Sequence, residues 1–277
     1  MPKFRPKQEN RERGRRKMGE GYWVIRTWEC GSIAEKVKYW ISGQRPTKSE
    51  RRLKAEMNKQ AVNESQATKR MARLINLNWP KGKGGVLVRL GYSDDGVEYI
   101  GGEGGGEEWA DKLYHAAHHQ LRLWMRRVRR ACKQEGMSFR CIAVTSDMDG
   151  KTGEYKRVHH HVIMDERVVA LALAKWELGS THHKRLWRVH DQSGLAEYLM
   201  NQVRRLPDAK KYIPTRNLLQ PHAKDRIAKS GAELAVPRGA RLLYRREFRI
   251  GGAQYIRYIT AKALADDPDE DPPERVA

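Results

Sequence analysis

Arg157-Val158-His159-His160-His161-Val162-Ile163-Met164 is the stretch that most narrows what this chain can fold into. Its β-branched and apolar flanks predict a strand, and successive side chains of a strand point to opposite faces. His159, His161 and Ile163 therefore share one face, and His160 and Val162 share the other. Two imidazoles side by side on one face can close on a single divalent cation. The local pattern leaves two plainer readings open, a surface cluster or core histidines with hydrogen-bond partners.

The neighbouring segments give the strand its setting. Gly85 to Tyr92 reads as a mostly buried strand, followed by a Gly/Glu-rich loop from Asp94 to Glu108. Trp109, Leu113, Ala116 or Ala117, Leu121, Trp124 or Met125, Val128, and Ala131 or Cys132 then recur at three- and four-residue steps. That spacing predicts a helix of about seven turns with a continuous apolar face. Its outer side carries Arg122, Arg126, Arg127, Arg129, Arg130 and Lys133. Phe139 to Thr145 reads as a strand that turns through Ser146 to Gly153 into the histidine strand as a hairpin. Glu166 to Trp176 reads as a helix, Arg185 to Val189 as a short strand and Leu195 to Leu206 as a further helix.

The order β-α-β-β-α-β followed by a helix is that of an α+β, ferredoxin-like split-βαβ fold, a central antiparallel sheet with helices on one face. In that arrangement the first strand and the histidine strand lie in the middle. The face holding His159 and His161 is then expected on the open side, opposite the helices.

Around this core (residues 83–206) the chain divides by composition. Residues 1–47 read as a basic N-terminal arm, whose Tyr22-Trp23-Val24-Ile25 and Tyr39-Trp40-Ile41 clusters dock on something larger. Residues 48–82 read as a basic helix, running from Lys48 to about Asn76 with an incomplete apolar stripe. Residues 207–264 form a C-terminal extension with strands expected at Arg241–Tyr244, Glu247–Ile250 and Gln254–Ile259. Residues 265–277 form an acidic tail expected to be disordered.

The 277 residues hold 55 Lys and Arg against 34 Asp and Glu, a formal charge of +21, which points to nucleic acid as partner. The longest apolar run, Val168 to Ala174, is too short to span a bilayer, and no apolar stretch follows the basic N-terminus as a secretion signal requires. Cys30, Cys132 and Cys141 are scattered, without zinc spacing, which suits a reducing compartment. The expectation is a soluble, cytoplasmic protein with no membrane partner. Gly150-Lys151-Thr152 and Asp147-Met148-Asp149-Gly150 mimic the end of a phosphate loop and the start of a calcium loop, but a hairpin turn explains both.

On the last helix of the core, Leu195, Leu199, Val203 and Leu206 form the buried face, and Tyr198 lies about 60° from Leu195 at its margin. Asn201 and Arg205 fall on the same flank. By itself such a tyrosine is a core-boundary residue.

Together these stretches resemble the rolling-circle replication initiators of plasmids and phages, within the wider group of HUH nicking endonucleases. Asn63-Glu64 through Ala72-Arg73-Leu74-Ile75-Asn76 resembles the family's helix before the first core strand, and Val86 to Tyr92 its first motif strand. Val158 to Ile163 is similar to the His-hydrophobic-His motif, with His160 as a polar variant of its middle position. Gly194-Leu195-Ala196-Glu197-Tyr198-Leu199 is similar to the tyrosine helix, and Ile213-Pro214-Thr215-Arg216-Asn217-Leu218 with Pro221 to a segment that follows it. The resemblance covers roughly residues 35–221.

It implies that His159, His161 and a third ligand hold Mg²⁺ or Mn²⁺, and that Tyr198 attacks a DNA phosphate. The product is a 5′-phosphotyrosine with a free 3′-OH that primes replication. The third ligand is read as Asp147, with Ser146, Asp149 and Glu154 as alternatives. Where the family often carries a lysine three residues after the tyrosine, this chain has Asn201, so Arg205 is expected to supply the charge. One tyrosine is expected on the helix, since Gly194 and Gln202 stand four residues either side, with Tyr212 an outside candidate. Arg122, Arg126, Arg127, Arg129, Arg130, Arg157 and Arg216 are the expected DNA contacts. The implied partners are single-stranded and duplex origin DNA with a host helicase and polymerase. Two other readings remain: an HUH transposase or conjugative relaxase, and a non-catalytic origin-binding protein.

Overall fold

Strands Tyr22–Cys30 (β1) and Ile33–Ile41 (β2) pair along their full length around a two-residue turn. Gly31 makes the turn possible: its φ is 63°, and a Cβ there would lie 2.5 Å from the carbonyl oxygen of Asn76. The computed structural model describes residues 21–42, 64–203, 211–228, 232–248 and 252–266, and among them are two antiparallel sheets and six helices. It is an α+β protein.

The elements follow in chain order: a helix over 64–78 (α1), Gly85–Gly91 (β3), Asp94–Gly101 (α2), Gly106–Gln134 (α3), Cys141–Met148 (β4) and Tyr155–Asp165 (β5). A 3₁₀ turn at Glu166–Val168 leads into Val169–Leu173 (α4), then come Thr181–Arg185 (β6), Ser193–Asn201 (α5) and Ile213–Pro214 (β7). Ala223–Ala228 (β8), Arg241–Glu247 (β9), Gln254–Ile259 (β10) and Ala261–Ala265 (α6) complete the described residues.

The histidine sheet has the order β6-β3-β5-β4-β7, every neighbouring pair antiparallel. As expected, β3 and the histidine strand β5 are central. Several boundaries differ from the sequence reading. The stretch from Asp94 begins with a helix, because Ser93 caps it by accepting from the Gly96 N–H at 3.0 Å and Asp94 and Asp95 occupy its first turn. The helix expected over Glu166–Trp176 is shortened to a 3₁₀ turn and α4. The last core strand is Thr181–Arg185, four residues ahead of its expected place, and all five of its residues are exposed and polar, so no apolar pattern announces it.

The expectation of an open histidine face is corrected. On one face, Val158, Val162 and Met164 pack with α3 and α4 through Leu121, Trp124, Val128 and Ala172. On the other, Ile163, Leu87 and Ile142 pack with α1 through Met71, Leu74 and Ile75, and with α5 through Ala196 and Leu199. Helices therefore cover both faces, and the chain bends α1 back over the side that the bare split-βαβ order leaves free.

The N-terminal arm and C-terminal extension are also corrected. Residues 22–41 are a hairpin, and it joins the C-terminal strands in one sheet of order β8-β1-β2-β10-β9. Arg26, Glu29, Lys36 and Lys38 interrupt the apolar alternation there, and the partner strands lie some two hundred residues away. No separate strand begins at Glu247, which closes β9. The sequence before 21, residues 43–63 (most of the helix expected from Lys48) and the tail from 267 lie outside the described residues.

Helix α1 explains its own incomplete stripe, because it is sandwiched. Met71, Leu74 and Ile75 face the histidine sheet, while Arg73 reaches the second sheet, bonding buried Glu35 at 2.7 Å and lying 3.6 Å over the Trp28 ring. At its C-terminal end Asn78 bonds Leu219 through both its backbone groups, and the Asn76 side-chain oxygen accepts from the Gln192 N–H at 2.9 Å. The Asn76 bond fixes the segment that leads into α5, and the Asn78 bonds fix the chain after β7.

Candidate active site

The alternation of β5 sends its three histidines into different chemistry. His160 points into the α3 side and is fully buried. Its Nε2 lies 2.8 Å from the Tyr92 hydroxyl and its Nδ1 3.1 Å from the Thr145 hydroxyl, which meets His118 at 3.3 Å. Both ring nitrogens are satisfied, so His160 is a core histidine.

His159 and His161 face α5. Their Nε2 atoms are 3.1 Å apart and their rings meet edge to face at 4.8 Å between centroids. His159 Nδ1–H donates to the Arg157 carbonyl at 2.9 Å, which leaves its Nε2 as a lone pair aimed at His161. His161 Nδ1 is buried without a hydrogen-bond partner. Burial lowers the affinity of both rings for protons, and holds His161 down at about 3. Arg89 acts in the same direction on both rings, as do Lys156 on His159 and Lys184 on His161. The pair is therefore neutral at physiological pH; His159 Nε2 accepts from His161 Nε2–H, and a cation bound between the rings would take the place of that proton as it moves to His161 Nδ1.

Gln202 supplies the third group. Its side-chain N–H donates to the Tyr198 carbonyl one helical turn back at 3.2 Å, which turns Oε1 toward His161 Nε2 at 3.4 Å. Two cis ligands about 2.1 Å from an octahedral cation are separated by about 3.0 Å, so two imidazoles at 3.1 Å with an amide oxygen beside them fit such an ion. Ser146, paired with His159 across the strands, adds a buried hydroxyl without a hydrogen-bond partner. Among the described residues no third His, Cys, Asp or Glu joins the pair.

Tyr198 sits one turn before Gln202 on α5. Its ring lies 5.8 Å from the His161 ring, edge to face, and remains 53% exposed. A solvent-accessible phenol, a neutral donor set and the exposed Arg89 guanidinium, which shares a cross-strand row with His161, are thus gathered on one side of the sheet. Such a group can hold a phosphodiester against a cation and a phenol.

No family model, curated protein or solved structure matches this chain.

The remaining expected site residues fall elsewhere. Asp147 is corrected as third ligand: it sits in the irregularity of β4 between Ser146 and Met148 and lines a cavity with Trp109, Leu113 and Val158 on the α3 side. Burial raises its carboxyl to about 7. Asp149 is held below the usual carboxylate range by Lys156 and by the N–H groups of Lys151 and Thr152, and Glu154 bonds Thr152 in the same turn. Asn201 is exposed beside the β4–β5 turn, its Cβ 3.3 Å from where a Gly150 Cβ would stand. Arg205 lies outside the described residues. Tyr212 is half-buried, in a cleft with Trp28, Arg70 and Arg73, away from the histidine pair.

Arg122, Arg126, Arg129 and Arg130 are exposed on α3, across the sheet from Tyr198, and Arg127 is half-buried with a bond to the Lys175 carbonyl. Arg157 pairs with Asp94 at 2.6 Å, and Arg216 is exposed in the turn after β7. The sequence reading missed Arg89 and Gln202 as site residues. Arg89 carried a signal, as the one charge in an otherwise apolar strand. Gln202 carried only its distance of one helical turn from Tyr198.

Proposed function

We propose that this protein is a metal-dependent, site-specific single-strand DNA nicking and joining enzyme of the HUH type, which initiates rolling-circle replication through a phosphotyrosine on Tyr198. The observation that carries the reading is the half-exposed Tyr198 ring against a pair of neutral, converging imidazoles. The strand order β6-β3-β5-β4, with its two crossovers, supports the ferredoxin-like assignment on which the family resemblance depends.

In this mechanism the Tyr198 oxygen forms a bond to phosphorus and the bond from phosphorus to the 3′-oxygen breaks. The phenol proton passes to solvent, which reaches the ring, and the leaving 3′-oxygen takes a proton from solvent. A divalent cation held by His159, His161 and Gln202 would draw charge from the non-bridging oxygens. Arg89 orients the phosphate and offsets the charge that grows on it. The phosphodiester energy stays in the tyrosyl ester, so the 3′-OH can attack it and rejoin the strand. Imidazole and amide donors suit Mn²⁺ better than Mg²⁺. The exposed arginines of α3 contact duplex backbone away from the strand being cut. No helix among the described residues is long and apolar enough to cross a membrane.

The test mixes the full chain with Mn²⁺ or Mg²⁺ and a random pool of 3′-labelled single-stranded oligonucleotides, then looks for labelled protein on a denaturing gel. A covalent adduct that disappears with chelator and in Tyr198→Phe is the expected result. An adduct that persists in Tyr198→Phe moves the nucleophile to another residue and overturns the role of Tyr198, and DNA binding with no adduct under any condition leaves the non-cutting origin-binding reading in its place.

A further inference from the structure

Between α1 and β3 the chain runs Pro80-Lys81-Gly82-Lys83-Gly84, a basic loop with an unusual backbone. Lys81 has φ 54° and ψ 28°, and it is the one non-glycine residue with positive φ among the described residues. A lysine side chain gains nothing locally from the left-handed region, so the surrounding fold holds it there. Gly82 follows with φ 66° and packs so closely that a Cβ would stand 2.4 Å from the Trp187 carbonyl oxygen. The loop is therefore fixed, with its lysines set in one wall of a cleft.

That cleft, of about 660 Å³, lies where the two sheets meet. Lys81 and Lys83 line one side, Arg188 and His190 come from the segment leading into α5, and Lys262 comes from α6, with Asp266 the one carboxylate among the described lining residues. His190 is only 2% exposed. Four cations from three separate parts of the chain converge on one concave surface, and among the described residues no Trp, Tyr or Phe lines it. The site can grip phosphate oxygens but its described lining offers no aromatic platform on which a base could stack, a contact worth about 1–3 kcal/mol per base where it exists. A backbone phosphate fits it better than a free nucleotide.

We propose that this cleft is a second DNA contact, a phosphate clamp separate from the tyrosine site. The naming of DNA as its ligand rests on the nicking reading; the anion preference does not. Lys83 precedes Arg89 by six residues, which at about 3.3 Å per extended residue places the clamp about 20 Å from the histidine pair. At about 3.4 Å per phosphate along one strand of a duplex, that is about six nucleotides. The clamp holds flanking DNA while Tyr198 meets the scissile phosphate. Because Arg188 and His190 lead into α5, the flanking grip also bears on the segment that carries the tyrosine.

The test compares the wild type with Lys81→Gly/Lys83→Gln/Lys262→Gln, in which glycine suits the left-handed backbone that lysine occupies. Fluorescence anisotropy against salt is measured with a long duplex and with a single strand too short to span about 20 Å. Each neutralised duplex phosphate contributes about 0.9 to the log–log salt slope, so the triple variant should lose about 2 to 3 units of slope on the duplex. Its affinity for the short strand, and adduct formation on that strand, should be unchanged. Lys262→Glu, a single change on exposed α6, should shift the duplex curve in the same direction.

An unaltered slope in both variants overturns the clamp. So does a cleft that takes inorganic tripolyphosphate in the wild type, loses it in the variant and leaves duplex binding untouched. If the slope changes but no adduct ever forms, the clamp stands and the nicking reading fails. Adduct formation with an unaltered slope gives the reverse.

Discussion

His160 and His161 are adjacent in sequence and opposite in chemistry. One has both nitrogens bonded to hydroxyls, and the other has a buried nitrogen without a partner and a second aimed at His159. The pleat of a strand alone separates them. Gln202 matters for the same reason of direction, since its bond to the Tyr198 carbonyl decides where its oxygen points. Gln202→Ala should weaken Mn²⁺ binding by on the order of ten-fold or more, and Gln202→Glu should strengthen it. Mn²⁺ titration followed by electron paramagnetic resonance reads both without needing activity; equal affinities in all three proteins would remove Gln202 from the donor set.

Asp147 makes the stability of the fold depend on pH. Burial raises its carboxyl to about 7, whereas in the unfolded chain it titrates near ~3.9. Between those values the folded state keeps a proton that the unfolded chain has released. Stability from this group is therefore present at low pH, falls as pH rises through that window, and is fully lost above it. Asp147→Asn should raise the melting temperature at about pH 8 and leave it unaltered near about pH 4. Thermal melts at the two values check the sign.

Among the elements, α1 does the most to join the molecule, and it does so with charge. Glu35 is 2% exposed and bonded by Arg73, whose guanidinium also lies over Trp28. Arg73→Ala leaves that carboxylate buried and unpaired, at a cost of about 3–5 kcal/mol. Arg73→Met combined with Glu35→Met removes both charges and should cost clearly less. Urea unfolding distinguishes them, and equal losses in the two variants would show that packing rather than charge sets the strength of this junction. The apolar half of α1 was legible as an incomplete stripe, but nothing in the helix marked Arg73 as turned inward. A basic side chain above a tryptophan in another sheet has no signature in its own helix.

Taken whole, the molecule places its two sets of cations on different sides. The exposed arginines of α3 lie across the histidine sheet from Tyr198, whereas Arg89 and Lys184 lie on the tyrosine side and Lys81, Lys83 and Lys262 line the cleft between the sheets. A net charge of +21 announced a polyanion but carried no direction. In the mechanism proposed here, that distribution lets one DNA molecule be held at points away from the strand being cut.

By itself the sequence determined the local periods: a two-residue period placing His159 and His161 on one face, and a helical period placing Leu199 inward with Tyr198 at its margin. It also determined the order of elements that puts β3 and β5 in the centre of their sheet. Local spacing controls those features, because neighbouring side chains and backbone hydrogen bonds set them. Tertiary structure alone decided that α1 covers the histidine face, that strands from both ends of the chain close a second sheet, and that Gln202 rather than Asp147 meets the pair. Each of those depends on contacts between residues far apart in sequence or on a strand irregularity that reverses a side chain. No local pattern records either one.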